Sequence, residues 1–108
     1  MSFDQNAHGV YAIAATPFHP DGRLDLASVD TMTDFYLRCG VSGLTILGIM
    51  GEAPKLDPDE SMAVVKGVIG RAGAVPVIVG VSAPGFAAMR ALARSSMDAG
   101  AGGVMVAP

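Results

Sequence analysis

The densest grouping of chemically useful residues is the run Gly48-Ile49-Met50-Gly51-Glu52-Ala53. Two glycines bracketing two residues can leave backbone N–H groups open to an anion such as a carboxylate. The same pair suits a strand-to-helix turn that needs glycine for its geometry, and on spacing alone the turn is the stronger reading. The run has neither the GxGxxG spacing of a dinucleotide fold nor the GxxxxGK pattern of a phosphate loop. Glu52 can act as acid or base, or it can brace the loop by accepting backbone N–H bonds. A turn with several free donors needs an acceptor, so bracing is expected. Thr16, ahead of Pro17-Phe18, can offer its hydroxyl to a ligand or satisfy its own loop, and the sequence does not choose between the two.

Nucleophiles are scarce. Lys55 and Lys66 are the only lysines, and an amine that forms a Schiff base must be desolvated to lower its pKa. Lys66 lies beside Val64, Val65 and Val68 as a solvated flank, and Lys55 lies in a polar loop. Neither reads as an activated amine. His8 precedes the first apolar run, and His19 follows Pro17-Phe18 as a surface histidine. Cys39 has no Cys or His neighbour at metal-ligand spacing, so no metal site is expected. The methionines, among them Met32, Met62, Met89 and Met97, fall at helical spacing and read as core filler.

Composition narrows the class. The chain has 108 residues, a formal net charge of −3, 51% hydrophobic and 16% charged residues, and a mean hydropathy of +0.47. That is one small domain and the opposite of a disordered composition. A pI near 5.0 argues against a nucleic-acid partner, because such binders carry a clustered positive footprint. A single cysteine excludes an internal disulfide and fits a reducing compartment. The longest apolar run, Pro76-Val77-Ile78-Val79-Gly80-Val81, falls far short of the ~18 residues of a spanning helix. The N-terminus lacks a basic-then-apolar signal. No membrane partner and a cytoplasmic location are expected.

Positioning these residues takes repeated units. Apolar runs begin near Val10, Leu44, Val77 and Val104, at spacings of 34, 33 and 27 residues. Such a period, with helical pattern between the runs, is the signature of βα repeats. Runs that are apolar on both alternations, as in Val77-Ile78-Val79, suit parallel strands covered on both faces. The first helix should start at Asp25, after the turn Pro20-Asp21-Gly22, bury Val29, Met32, Thr33 and Tyr36, and end at Gly40. The second has the clearest start: Asp57 as cap, Pro58 in the first position and Glu60 three residues after the cap. Its apolar face is Val64, Val65, Val68 and Ile69. The third should run from about Pro84 to Ala99, with Ala88, Met89, Leu92 and Ala93 inward. Units of this size fit a (β/α)8 barrel of about 250 residues, of which four parallel strands and three helices make about the first half. A small open parallel sheet is the competing architecture. In both, sites form at the C-terminal ends of strands, and bare edge strands invite association.

Several strings then resemble one family: Ala14-Ala15-Thr16-Pro17-Phe18, Asp21-Gly22, Asp25, and Gly40-Val41-Ser42-Gly43-Leu44. So do Gly48-x-x-Gly51-Glu52-Ala53, Leu56, Glu60, Pro76 to Val81, and Gly100-Ala101-x-Gly103 running to Pro108. This order resembles the opening of the dihydrodipicolinate synthase / N-acetylneuraminate lyase family and covers nearly the whole chain. The resemblance implies that residues 1–108 form a single partial barrel domain. It implies class I aldolase chemistry through a Schiff base between a lysine and a keto acid, usually pyruvate, with no cofactor and often as a homo-oligomer. It places the lysine on the sixth strand and the catalytic tyrosine on the fifth, both beyond Pro108, so no catalytic residue is expected here and the fragment alone should be inactive. The substrate-binding candidates are Thr16, Gly48, Ile49, Met50, Gly51 and Glu52. In pyruvate-using members the pair at 49 and 50 is two hydroxyl residues, one in a proton relay and one holding the carboxylate. Ile49 and Met50 can do neither with their side chains. The alternative is a non-catalytic half-barrel that self-associates or binds a partner.

Overall fold

The computed structural model describes residues 3–107. In chain order the elements are β1 (Tyr11–Ile13), α1 (Leu26–Arg38), β2 (Gly43–Ile46), α2 (Pro58–Ala72), β3 (Val77–Gly80), α3 (Phe86–Asp98) and β4 (Gly103–Met105). The strands form one sheet in the order β1-β2-β3-β4. Every neighbouring pair is parallel, with Ile13 beside Thr45, Thr45 beside Ile78, and Gly80 beside Met105. This is the βα repeat expected from the spacing, with strands in sequence order as in a barrel wall. Pro108, where the family-like string ends, lies outside the described residues.

Local chemistry sets the helix limits. The Asp25 carboxylate caps α1 by accepting from the Ser28 N–H at 3.0 Å and the Ser28 hydroxyl at 2.7 Å. Those bonds, the hydroxyl first, hold its pKa below the ordinary 3.8. Gly40, at φ +80°, ends the helix in the left-handed conformation. In α2 the Asp57 carboxylate accepts from the Glu60 N–H at 2.7 Å, while the Glu60 carboxylate accepts from the Asp57 N–H at 3.0 Å. The start of α3 departs from expectation. It begins at Phe86 behind Gly85, with no side-chain cap, because Pro84 and Gly85 supply no oxygen that could take up the first N–H groups.

The two faces of the sheet differ. Ala14, Leu44, Ile46, Val77 and Val79 point to the helices, where they pack with Val29 of α1 and Val64, Val65 and Val68 of α2. Valine dominates because a branched side chain fits the pleat and fills the gap to the helix. α1 and α2 are also clamped by Arg71, whose guanidinium donates to both Asp34 carboxylate oxygens at 2.9 and 2.7 Å. The alternate residues Tyr11, Ile13, Thr45, Ile78 and Met105 face the other side. There the N-terminal segment covers one end, the Phe3 N–H donating to the Gly102 carbonyl at 3.1 Å and the Phe3 ring meeting Tyr11 edge-on at 5.4 Å, while the turn after β2 lies against Gly80 and Met105 at the other end. Ile13 stays 54% and Met105 42% exposed. α3 is the least buried helix. Only Ser96 is fully buried on it, Ala88 is exposed rather than inward, and Met97 is exposed rather than core. Met32, Met62 and Met89 are half-buried, so methionine fills margins here while valine makes the core.

Candidate functional site

The loop after β2 is built on two left-handed residues that are not glycine, Leu47 at φ +57° and Glu52 at φ +54°. Side chains rarely adopt this conformation, and where it occurs the surroundings must over-determine it. At Leu47 the over-determination is visible. The side chain is buried in the core, and its carbonyl lies so close to Gly80 of β3 that any Cβ at Gly80 would collide with it. Gly80 therefore lets the chain turn sharply over the end of the sheet.

The two glycines of the GxxG run do different work. A Cβ on Gly51 would stand 2.9 Å from the Leu47 nitrogen and 3.0 Å from its Cα, so Gly51 is required for the turn to close. A Cβ on Gly48 would meet only the Met105 methyl, at 3.5 Å, in ordinary contact. The turn is stitched by the Gly51 N–H donating to the Gly48 carbonyl at 3.1 Å and the Glu52 N–H to the Ile49 carbonyl at 3.0 Å. Thr16 pins it from the loop after β1: its buried hydroxyl donates to the Gly51 carbonyl at 2.6 Å. The turn reading of the glycines holds at Gly51. Geometry requires Gly51, and the N–H groups of Ile49 and Met50 are left without an acceptor among the described residues.

Glu52 corrects an expectation. Its carboxylate does not brace backbone donors; it accepts from the Lys55 ammonium at 2.9 Å, in a single 3₁₀ turn at Ala53–Lys55. Thr16 braces the loop instead, through a carbonyl rather than an N–H. Lys55 is 67% exposed and Lys66 lies on the solvent side of α2, so neither amine is desolvated. His19 approaches Asp25 at 3.7 Å, near the start of α1. His8 and Cys39 are exposed. Among the described residues no three His, Cys, Asp or Glu side chains gather as metal ligands, and no helix is long and apolar enough to cross a membrane.

The arrangement therefore offers Thr16, Gly48, Ile49, Met50 and Gly51 together at the C-terminal end of β1 and β2, with Glu52 turned aside to Lys55. Ile49 and Met50 are 89% and 60% exposed. Such a loop can hold a carboxylate through neutral amides, but it contains no group able to attack a carbonyl. Met105 beside Gly48 and the strain at Leu47 could not be read from the sequence. The only hint was the small residue Gly80 at a strand end.

A family model described as the dihydrodipicolinate synthetase family matches residues 6–108. The 4-hydroxy-tetrahydrodipicolinate synthase of Nitrosococcus oceani is 35% identical over 95 residues, 87% of this chain and 32% of that protein. The crystal structure of dihydrodipicolinate synthase from Rhodopseudomonas palustris superposes with a TM-score of 0.95 at 60% identity, covering 100% of this chain and 36% of that one. A prophage protein of E. coli K12, from the dihydrodipicolinic acid synthase family and solved with pyruvate, superposes at 0.84 with 30% identity over 91% of this chain and 33% of that one. The chain spans about a third of the length of the relatives it matches, and its four strands and three helices make the first half of their (β/α)8 barrel.

Proposed function

The chain belongs to the dihydrodipicolinate synthetase family, and from that premise we propose that it forms the carboxylate-holding part of a class I aldolase-type lyase or synthase. The substrate is a pyruvate-like 2-oxo acid, activated as a Schiff base on a lysine outside these residues. The observation that carries this reading is the loop after β2, where the Ile49 and Met50 N–H groups have no acceptor among the described residues and Thr16 fixes the turn through Gly51. Two neutral donors at the mouth of a parallel sheet suit one carboxylate. The likeness to a family protein solved with pyruvate supports the choice of acid.

The division of labour follows from what each group can do. The amides orient the acid so that its C2 carbonyl faces the barrel interior. An amine then forms a bond from nitrogen to C2, the carbonyl oxygen leaves as water, and an iminium remains. That step needs an uncharged amine at neutral pH, hence a desolvated one. Lys55, ion-paired to Glu52, and Lys66, in solvent, are not desolvated. Ile49 and Met50 have no hydroxyl with which to pass a proton, so proton transfer falls to other parts of the barrel. The same reading makes the protein a cytoplasmic homo-oligomer that acts without a cofactor.

Borohydride reduction in the presence of pyruvate tests it, because reduction fixes any iminium as a stable adduct visible by mass. The chain alone should stay unmodified. Joined to the C-terminal two thirds of the Rhodopseudomonas palustris relative, it should acquire one adduct on a lysine of the joined part. Stoichiometric adduct at Lys55 or Lys66 would overturn the reading.

A further inference from the structure

The exposed side chains at this loop are apolar. Ile49 and Met50 carry the two unpaired amides and are 89% and 60% exposed. The Met105 side chain, 42% exposed, reaches across from β4 until its methyl lies 3.5 Å from where a Gly48 Cβ would be. Ile49 and Met50 thus carry apolar side chains beside the two N–H donors, and Met105 adds a third next to the adjoining Gly48. The one cation in the loop, Lys55, is engaged by Glu52, so no charge competes for a ligand there. A site of this composition binds an acid group by hydrogen bonds and draws its remaining affinity from apolar contact.

Resting on the reading above, we infer that the 2-oxo acid taken by this site carries an apolar substituent longer than the methyl group of pyruvate, seated against Ile49, Met50 and Met105. Isoleucine is stiff and sets one wall. The methionines are adaptable and fit substituents of differing length. Each methylene withdrawn from water against such walls should tighten binding about fourfold.

The test is titration of the chain with pyruvate, 2-oxobutyrate, 2-oxopentanoate and 2-oxohexanoate, followed by NMR at the Ile49 and Met50 amides and the Ile49, Met50 and Met105 methyls. The expected result is amide shifts with all four acids, affinity rising about fourfold per methylene, and that rise lost in the Ile49→Thr/Met50→Thr variant. Amide shifts with equal affinity for all four acids would overturn the substituent and leave the carboxylate loop standing. No amide shift with any acid would overturn both. If the chain or the variant gives no dispersed spectrum, the same series is measured as inhibition of pyruvate turnover in the barrel completed as above. There a rise in potency with length that the threonine pair abolishes supports the inference, and a flat series overturns it.

Discussion

The two faces of the sheet have the same backbone and similar composition, yet one is finished and the other is not. The helix face is closed by α1 and α2, which lie within about 30 residues of the strands they cover, and it holds Leu44, Val79 and Val65 at 1%, 0% and 0% exposure. The opposite face gathers Tyr11, Ile13, Thr45, Ile78 and Met105; Phe3 reaches it at one end and the turn after β2 at the other, and Ile13 and Met105 stay open. Partners close in sequence have been supplied here. In a barrel the partners of the inner face are the strands across the cylinder, and those lie far along the chain. The site loop sits at the boundary. Its footing in Leu47 and Thr16 is buried, and its tip at Ile49 and Met50 is open.

This contrast can be broken most sharply with paired truncations. Leu44→Ala on the finished face should cost about 2–5 kcal/mol in urea unfolding, while Ile13→Ala on the open face should change stability by less than about 0.5 kcal/mol. Equal losses would mean that the inner face is packed after all. The glycines give the next pair. Gly51→Ala drives a methyl into the Leu47 backbone and should destabilise by about 1–3 kcal/mol, whereas Gly48→Ala, which meets only the Met105 methyl, should be neutral within about 0.5 kcal/mol. Thr16→Val leaves the Gly51 carbonyl unpaired in a buried place and should lower stability by about 1–2 kcal/mol. If it does not, the loop is held by its own turn bonds alone.

The smallest effect concerns the clamp between α1 and α2. The Arg71 guanidinium bonded to Asp34 holds that carboxyl below the ordinary 3.8. A lowered folded-state pKa contributes stability above the unfolded value, and the contribution is lost as pH falls through the folded one. Unfolding of the protein should therefore steepen below about pH 4, and Arg71→Gln should flatten that acid limb. An unchanged limb would assign it to other carboxylates, such as Asp25 at the start of α1.

Much of this was legible in the residues. The βα order, the Asp57–Glu60 cap with Pro58, and the stop at Gly40 all follow from local chemistry, and local chemistry is what a sequence displays. Contacts between distant residues were not legible. That Thr16 rather than Glu52 braces the loop depends on a bond across 35 residues. Glu52 had a nearer partner in Lys55, three positions on. Ala88 was placed inward because helical spacing marks a stripe without saying what lies opposite, and α3 has little beside it. The apolar run of β3 was plain, but that Gly80 must be small because Leu47 folds over it is a fact of the assembled sheet.

The central claim is that this sheet is part of a cylinder whose other strands lie outside these residues. Amide hydrogen exchange at the two edges tests it. The Ala14 N–H bonds to Thr45, so by alternation the Ile13 N–H faces the open side of β1; the Met105 carbonyl accepts from the Val81 N–H of β3, so by the same alternation the Val104 N–H faces the open side of β4. In the chain alone both should exchange as fast as loop amides while Ile46 and Val79 stay protected. On joining the C-terminal part of the Rhodopseudomonas palustris relative, Ile13 and Val104 should slow to the rate of the central strands. Edges already protected in the chain alone at monomeric concentration, or still unprotected after joining, would contradict the account.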